Sequence, residues 1–303
     1  MSLQQREMVR QILRDAPFDL GGEAHTQRPL LKQMLTARPM PEDVRMTPGE
    51  LGGVPAVFID LDQPPSRGVI LHMHGGGFAV GSAAGSVGLA SALARKAGMS
   101  VVSVDYRLAP ENPYPAALED VTAAYRALLA REGGAGRIVV SGESAGGNLA
   151  VELLIAAKQA DLSMPAAVVV FSPMTDLTIT GDSYRSKAEF DPAITADAIR
   201  TRANDYLAGT GTDPADPLVS PIFADLTGLP PLLIQVGSHE VLLDDATRLA
   251  TRAAADDVAV TLDVTPGVPH VFQAFSAFLE EGDAALDRAG AFLNEHLPQA
   301  DAR

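Results

Sequence analysis

The sequence predicts an α/β fold in which a mostly parallel central sheet has helices on both faces. Short apolar runs alternate with helical patterns from Gly68 onward, which is typical of βα repeats. The runs are also rich in β-branched residues on consecutive positions, as in residues 168–170, which suits strands covered on both faces. The predicted strands span residues 68–73, 99–105, 137–141, 166–172, 232–237 and 258–264.

Two kinds of element precede these repeats. Residues 44–47 and 54–61 are candidate strands, and the Gly52-Gly53 turn between them predicts a hairpin at one edge of the sheet. Before Arg38 the chain has no strand pattern, but apolar residues recur at helical spacing. They are Met8, Val9, Ile12 and Leu13, followed by Leu30, Leu31, Met34 and Leu35.

Helices are predicted over residues 83–97, 116–131 and 145–160, with short connections to the strands. One connection is much longer, because about 60 residues separate the strand that ends near Ser172 from the one that begins near Leu232. This insertion has a helical pattern around residues 195–208. We therefore expect one domain over residues 1–303, with a helical cap formed by about 1–42 and about 176–222.

Composition and charge exclude several classes of partner. The chain carries 23 Lys and Arg against 38 Asp and Glu, which gives a formal net charge of -15. Such a charge repels nucleic acid and anionic membrane surfaces, so neither is an expected partner. No apolar run reaches the roughly 18 residues that cross a bilayer, and the first residues have no signal-peptide pattern. We expect a cytoplasmic protein.

Because the chain has no Cys, a nucleophile must be another residue type. Gly142-Glu143-Ser144-Ala145-Gly146 matches the G-x-S-x-G pattern, in which a sharp turn between strand and helix exposes the serine. The pattern alone also fits an ordinary glycine-rich turn. Here it follows a predicted strand and opens a predicted helix, which favours Ser144 as a nucleophile with Gly142 and Gly146 supporting the turn.

A second motif, His74-Gly75-Gly76-Gly77, follows the strand over residues 68–73. Glycines allow backbone N–H groups to point at a developing oxyanion, and the Ala145 amide would add a donor from a helix N-terminus. A flexible turn or a phosphate cradle would be the other interpretations. The cradle is disfavoured because no Walker-type Lys follows and the spacing is not G-x-G-x-x-G.

A serine nucleophile needs a base, and the chain has six histidines. In hydrolases that place the serine after a strand, the base comes last in the chain, on a loop after a late strand. His270 fits, because it follows the strand over residues 258–264 through a loop that contains Gly267 and Pro269. Structural roles are expected for His25, His72 and His296.

The acid that orients the base is expected just after the strand over residues 232–237. Glu240, Asp244 and Asp245 are the candidates. Asp244 and Asp245 stand where a helical pattern begins, so both also suit helix capping or the first helical turn. Glu240 lies in the loop itself and is the favoured acid, with Asp244 as its main rival.

Together, these ordered motifs resemble those of the hormone-sensitive-lipase-like, bacterial family IV carboxylesterases. The set comprises residues 74–77, Tyr106-Arg107-Leu108-Ala109-Pro110-Glu111, residues 142–146 and His270, and the resemblance extends from about Gly68 to the C-terminus. Where the family has G-x-x-D-x-L-x-D, residues 237–244 read GSHEVLLD, with Glu at the position of the catalytic Asp. Glu143 also stands where the family often has Asp, and we expect it to be a structural hydrogen-bonding residue. Arg107, Glu111 and Asp120 suit a buried polar network that holds the loop.

The resemblance and the motifs together predict a serine carboxylesterase on an α/β-hydrolase fold. It would hydrolyse short- to medium-chain acyl esters of small molecules through an acyl-enzyme, without metal or cofactor. Lactones, amides or thioesters would use the same residues. A non-catalytic small-ligand receptor on this fold would typically lack a triad member, and none is missing. The sequence is compatible with a homodimer.

Overall fold

The structure, a computed structural model, describes residues 3–37, 41–62 and 67–297. At its centre, the described residues form one eight-stranded sheet in the order β1-β2-β4-β3-β5-β6-β7-β8. The strands are β1 (Val44–Leu51), β2 (Val54–Leu61), β3 (Val69–Met73), β4 (Ser100–Val104), β5 (Ile138–Glu143), β6 (Ala167–Phe171), β7 (Leu232–Gly237) and β8 (Val260–Thr265).

The sheet is mostly parallel, as the alternation of strand and helix patterns predicts. Strands β4, β3, β5, β6, β7 and β8 run parallel to one another, whereas β2 is antiparallel to both β1 and β4. The predicted hairpin is confirmed at the edge of the sheet, where Gly52 and Gly53 both have positive φ, 65° and 81°, as a tight turn requires.

Helices connect the strands and cover both faces of the sheet. They are α1 (Leu3–Arg14), α2 (Ala24–Thr36), α3 (Val87–Ala97), α4 (Ala116–Glu132), α5 (Ala145–Gln159), α6 (Ser183–Ser186), α7 (Ala196–Leu207), α8 (Leu243–Ala255) and α9 (Glu280–His296). Helices α3 and α9 pack on one face, and α4, α5 and α8 pack on the other. Consecutive strand residues such as Val139 and Val140 therefore enter different cores, which explains their unbroken apolar runs.

One predicted helix begins later than expected. The pattern predicts a helix from Ala83, but α3 begins at Val87. The Asp105 carboxylate accepts the Ala83 amide at 2.6 Å, and the amides of Gly85 and Ser86 both donate back to the Ser82 carbonyl. These bonds shape residues 82–86 into a turn that leads into the helix.

The segments assigned to the cap contain helices, as predicted. α1 and α2 lie before the first strand, and α7 matches the helix expected around residues 195–208. Residues 1–2 and 38–40 of the expected cap lie outside the described residues. Val9 of α1 packs with Val268 and Phe272, whereas Arg28 of α2 donates to the carbonyls of Ala79 and Ala109 at 2.8 Å each.

Candidate active site

Ser144 lies in the turn between β5 and α5, with φ 54° and ψ -120°. This conformation is rare for a residue with a side chain, and close backbone packing holds it. A Cβ on Gly142 would lie 2.1 Å from the Gly146 carbonyl oxygen, and a Cβ on Gly146 would lie 2.1 Å from the Met73 carbonyl oxygen. Both motif glycines are therefore required by close approach of the backbone.

The glycine motif lies beside this serine because β3 pairs with β5. Met73, the last residue of β3, is in register with Gly142. The Gly75 amide donates to Glu143 Oε1 at 2.9 Å, and a Cβ on Gly75 would lie 3.2 Å from Ser144 Cβ. Residues 74–77 thus pack directly against the turn that carries the predicted nucleophile.

The amides of Gly76, Gly77 and Ala145 have no protein acceptor among the described residues. Gly76 and Gly77 have φ of 118° and 59°, which turns their amides away from a regular strand. Ala145 is the first residue of α5, where a helix leaves its N–H groups without intrahelical partners. All three predicted oxyanion donors therefore remain available to a ligand.

The predicted base and acid meet on loops that follow β8 and β7. His270 Nδ1 lies 2.8 Å from Glu240 Oε2. Glu240 is completely buried, and its Oε1 accepts from the Gly237 amide at 2.6 Å and from Ser172 Oγ at 2.9 Å. A buried carboxylate needs such donors, and these contacts fix it against the imidazole.

The rival acid, Asp244, has a different partner. It lies in the first turn of α8, and its Oδ2 accepts from the Ser183 amide at 2.9 Å, at the start of α6. Asp245 is buried and accepts from the amides of Thr175 and Asp176. Both carboxylates therefore bind the segment between β6 and β7 to helix α8. The N-cap of α8 is Leu242, so neither Asp takes the N-cap position considered from the sequence.

Ser172 is a contact that the sequence analysis missed. It follows β6 directly, has φ of 46°, and its hydroxyl also accepts from the Val271 amide at 3.1 Å. It therefore bridges the Glu240 loop and the His270 loop. The available signal was its place at the carboxyl end of a parallel strand, where polar residues of neighbouring strands converge.

Asp191, in the insertion, was missed as well. Its Oδ2 accepts from the Val241 amide at 2.9 Å, and its Oδ1 accepts from the amides of Ala193 and Ile194. Burial raises the pKa of Asp191, and the Glu240 carboxylate adds to the rise, although the His270 charge and the amide donors oppose it. The insertion is thus fastened beside the loop that carries Glu240.

Glu143 has the structural hydrogen-bonding position expected of it. Besides the Gly75 amide, its Oε1 accepts from Ser86 Oγ at 2.5 Å, and its Oε2 lies 2.8 Å from His72 Nε2. Burial opposes ionisation, but the His72 charge and the hydrogen bonds outweigh it, so the pKa of Glu143 lies below its usual value. Glu143 thereby ties the glycine motif to β5.

His74 has a supporting position. It is buried, its Nδ1 lies 2.8 Å from the Gly75 carbonyl oxygen, and its ring stacks on Tyr106 at 4.2 Å. Tyr106 also donates its hydroxyl to the His74 carbonyl at 2.7 Å. Burial lowers the pKa of His74, which favours the neutral ring.

The expected buried network of Arg107, Glu111 and Asp120 is wrong in two respects. The Arg107 and Glu111 side chains are 46% and 38% exposed, so the ion pairs lie at the surface. They also form two separate groups, because Arg107 binds Asp120 whereas Glu111 binds Arg28 of α2. The Arg28 guanidinium lowers the pKa of Glu111 to about 2.

The remaining histidines contact groups other than the proposed nucleophile and acid. His25 is largely exposed beside Glu111, and His296 Nδ1 lies 2.8 Å from the Phe292 carbonyl oxygen in its own helix. His239 Nδ1 lies 2.6 Å from Arg10 Nη2 of α1. Within the described parts of the chain, no three His, Asp or Glu side chains form a group that could hold a metal ion.

Comparisons with known proteins identify the family of this chain. The family model for the alpha/beta hydrolase fold matches residues 70–274. An acetyl-hydrolase of Streptomyces hygroscopicus is 45% identical over 224 residues, which are 74% of each chain. An esterase of Acinetobacter venetianus is 38% identical over 270 residues, covering 89% of this chain and 88% of the relative.

Among solved structures, an esterase from the bacterial hormone-sensitive lipase family superposes with a TM-score of 0.93 and 40% identity. The match covers 98% of this chain and 100% of the other. The chain belongs to the hormone-sensitive-lipase-like, bacterial family IV carboxylesterases of the α/β-hydrolase fold.

Proposed function

We propose that Ser144, His270 and Glu240 are the catalytic triad of this carboxylesterase. The observation that carries the proposal is the 2.8 Å contact between His270 Nδ1 and the buried Glu240 carboxylate. Parallel pairing from β5 through β8 brings the loops that carry all three residues to one edge of the sheet. These are the elements from which a serine hydrolase takes nucleophile, acid and base.

The reaction then follows from these positions. With Glu240 beside Nδ1, the neutral His270 ring keeps its proton there and presents Nε2 as the base. Ser144 gives its proton to His270 and attacks the ester carbonyl carbon, and His270 passes that proton to the leaving alcohol. Water, deprotonated by His270, attacks the acyl carbon, the bond to Ser144 Oγ breaks, and His270 returns the proton to Ser144 as the acid is released. The buried Glu240 charge stabilises the imidazolium in both steps.

The amides of Gly76, Gly77 and Ala145 are the proposed oxyanion hole. Their support is the lack of a protein acceptor for each among the described residues. Backbone donors held in a dry site stabilise the tetrahedral oxyanion without reorganising. His74, Gly75, Gly142 and Gly146 support this arrangement without taking part in bond making.

Short- to medium-chain acyl esters are the proposed substrates. The support is that one relative is named an acetyl-hydrolase and that the chain has few aromatic residues, with no Trp, 5 Tyr and 10 Phe. Some apolar side chains of α1 are exposed: Leu3, Met8 and Ile12 are 79%, 53% and 37% exposed. Aryl esters that differ only in acyl length measure the preference directly.

The nucleophile is tested by Ser144→Ala. We expect a folded protein with essentially no turnover, since the covalent step has no other nucleophile. Hydrolysis of an aryl ester and thermal unfolding are measured for the variant and the parent. Near-parental turnover would contradict the serine mechanism. Lactone, amide and thioester substrates in the same assay separate the ester reaction from its chemical alternatives.

A cap is proposed for the segments before β1 and between β6 and β7. Its support is their contact with the loops that carry the site: α1 packs on the His270 loop through Val9, and Asp191 binds the Glu240 loop. On this proposal the whole chain is one domain, because the cap shares its contacts with the sheet loops.

A homodimer is also proposed, through the free edge of β8. β8 is the last strand in the sheet order, and its Leu262 and Val264 side chains are 38% and 40% exposed. An edge strand with apolar side chains is a template for pairing with a second copy.

Cellular location stays a prediction. No helix in residues 3–37, 41–62 or 67–297 is long and apolar enough to cross a membrane. Cell fractionation would test the cytoplasmic location expected from the sequence.

A further inference from the structure

The oxyanion loop, residues 76–78, has a backbone conformation that needs support from outside. Gly76, Gly77 and Phe78 all have positive φ, at 118°, 59° and 62°. For Phe78 this conformation is unfavourable, because its Cβ crowds the backbone. Such a conformation persists only where surrounding contacts determine it. The Phe78 carbonyl accepts the Ala109 amide at 2.9 Å, and the completely buried Phe78 side chain is held by its packing.

One side of that packing is Tyr206 of α7. The rings of Phe78 and Tyr206 are stacked, with centroids 3.9 Å apart and planes 7° apart. Tyr206 is itself fixed, since its hydroxyl donates to Glu152 Oε2 at 3.2 Å and its carbonyl accepts the Tyr114 amide at 2.7 Å. Glu152 belongs to α5, the helix that begins after Ser144.

The neighbouring contact comes from Arg202, one helical turn earlier on α7. A Cβ on Gly77 would lie 2.4 Å from Arg202 Cγ, so the aliphatic stem covers this glycine. Arg202 is 2% exposed, and its Nη2 donates to the Gly22 carbonyl at 2.9 Å and lies 2.8 Å from Asp205 Oδ2. Residues one turn apart lie on the same helix face, so one face of α7 packs on two consecutive loop residues.

We propose that Arg202 and Tyr206 are positioning residues that hold the Gly76 and Gly77 amides in the geometry that stabilises the oxyanion. The inference rests on the proposed function. The proposal gives α7 an effect on the rate of the chemical step, through the amides that it positions, in addition to its place in the proposed cap. Amide donors act on the transition state only when they are already aimed at the position of the oxyanion. Loosening the loop should therefore reduce kcat more than it changes KM.

Tyr206→Leu tests the proposal with two readouts. We expect kcat to fall about tenfold or more while KM changes by less than about threefold. The second readout is inhibition by an aryl trifluoromethyl ketone. Ser144 Oγ bonds to its carbonyl carbon, the carbonyl π electrons become an alkoxide, and the serine proton moves to His270. Because this adduct places an oxyanion in the hole, its inhibition constant should rise in parallel with the loss of kcat/KM.

The controls separate positioning from stability. Tyr125 of α4 is another completely buried tyrosine. Its hydroxyl donates to the carbonyl of Ser163, a residue outside the oxyanion loop and α7. Tyr125→Leu should lower the melting temperature but leave the ketone inhibition constant unchanged. Tyr206→Phe keeps the stacked ring and should keep ketone affinity close to that of the parent.

Two variants of Arg202 provide a second, independent test of the proposal. Arg202→Ala uncovers Gly77 and should weaken ketone inhibition, whereas Arg202→Met keeps an aliphatic stem and should retain more of it. This pair decides the question if Tyr206→Leu does not fold. Parental kcat and ketone inhibition in folded Tyr206→Leu, or equal effects of the two Arg202 variants, would overturn the proposal.

Ser144→Ala in the same assays tests the proposed function separately. It should abolish both turnover and tight ketone inhibition. If Ser144→Ala stays active, the serine mechanism fails, whatever the α7 variants show. If Ser144→Ala is inactive and the α7 variants behave as the parent does, only the positioning role is lost.

Discussion

At the scale of single residues, the buried carboxylate of Glu240 contacts His270 directly, and in the proposed mechanism this contact orients the base. We expect Glu240→Gln to reduce kcat by about 10² to 10⁴. The imidazolium would lose its buried counter-charge, and the amide would no longer fix the tautomer. Steady-state ester hydrolysis measures the effect. Glu240→Asp should be partly active, since it keeps the charge but shortens the reach by one methylene.

Asp244→Asn is the matched control for this prediction. An amide oxygen at position 244 can still accept from the Ser183 amide, so the expected loss is about 1 kcal/mol of stability or less. The value of kcat should change little. If Asp244→Asn abolishes turnover while Glu240→Gln barely changes it, the acid is assigned to the wrong residue.

Glu152 gives a pH-dependent prediction at the same scale. Burial raises its pKa well above the ordinary value of 4.5, although the Tyr206 hydroxyl opposes the rise. A group with a raised folded pKa contributes stability that is fully present below the unfolded pKa and is lost as the pH rises through the folded pKa. Glu152→Gln removes this pH-dependent loss of stability. The difference in melting temperature between the variant and the parent should therefore favour the variant more at about pH 8 than at about pH 5.

Thermal unfolding at the two pH values measures the Glu152 effect. Glu50→Gln, at an exposed position on β1, is the control and should show the same small difference at both. A pH-independent difference for Glu152→Gln would mean that Glu152 does not titrate differently in the folded protein.

At the scale of elements, helix α1 contacts the loop that carries Glu240 and the loop that carries His270. Arg10 contacts His239, next to Glu240, at 2.6 Å, and Arg6 binds Glu281 at 2.7 Å. Val9 is completely buried against Val268 in the loop before His270. The N-terminal segment therefore contacts the loops that carry Glu240 and His270, as well as contributing to the proposed cap.

Deletion of residues 1–38 should consequently lower kcat or shift acyl preference much more than it disturbs the sheet. The physical reason is that α1 and α2 precede the first strand and contact the loops around the site. Far-UV circular dichroism and the acyl-length panel are measured together. A folded truncation with an unchanged kcat and acyl profile would show that neither helix affects the site.

At the scale of the whole molecule, the edge strand β8 is the place where we propose that two copies join their sheets. We expect a dimer by light scattering at micromolar concentration. Leu262→Lys should shift it to a monomer, because a charge on an edge strand opposes pairing. A monomeric parent would contradict the proposal, whereas a dimer unaffected by Leu262→Lys would place the interface elsewhere.

The order of motifs along the chain was enough to predict the family and the candidate site. Strand-turn-helix patterns placed Ser144 and the glycine motif locally, because strong periodicity and glycine positions report backbone shape over a few residues. For the same reason the parallel sheet, its edge hairpin and α7 were predictable. The later start of α3 was not predictable, because the Asp105 carboxylate, in another segment, accepts the Ala83 amide and holds the turn before the helix.

What only the tertiary structure decided is which side chains meet across distant segments. Glu240 and Asp244 stand four positions apart with similar chemistry, and only the folded loops show that His270 contacts one and Ser183 the other. Asp191, Arg202 and Tyr206 have no local signal that would distinguish them from core or loop residues. Hydrophobic periodicity records which face of an element is buried, whereas the partner on that face depends on strand order and loop packing. The sequence therefore determined the fold and the chemical groups, and the tertiary structure determined their contacts.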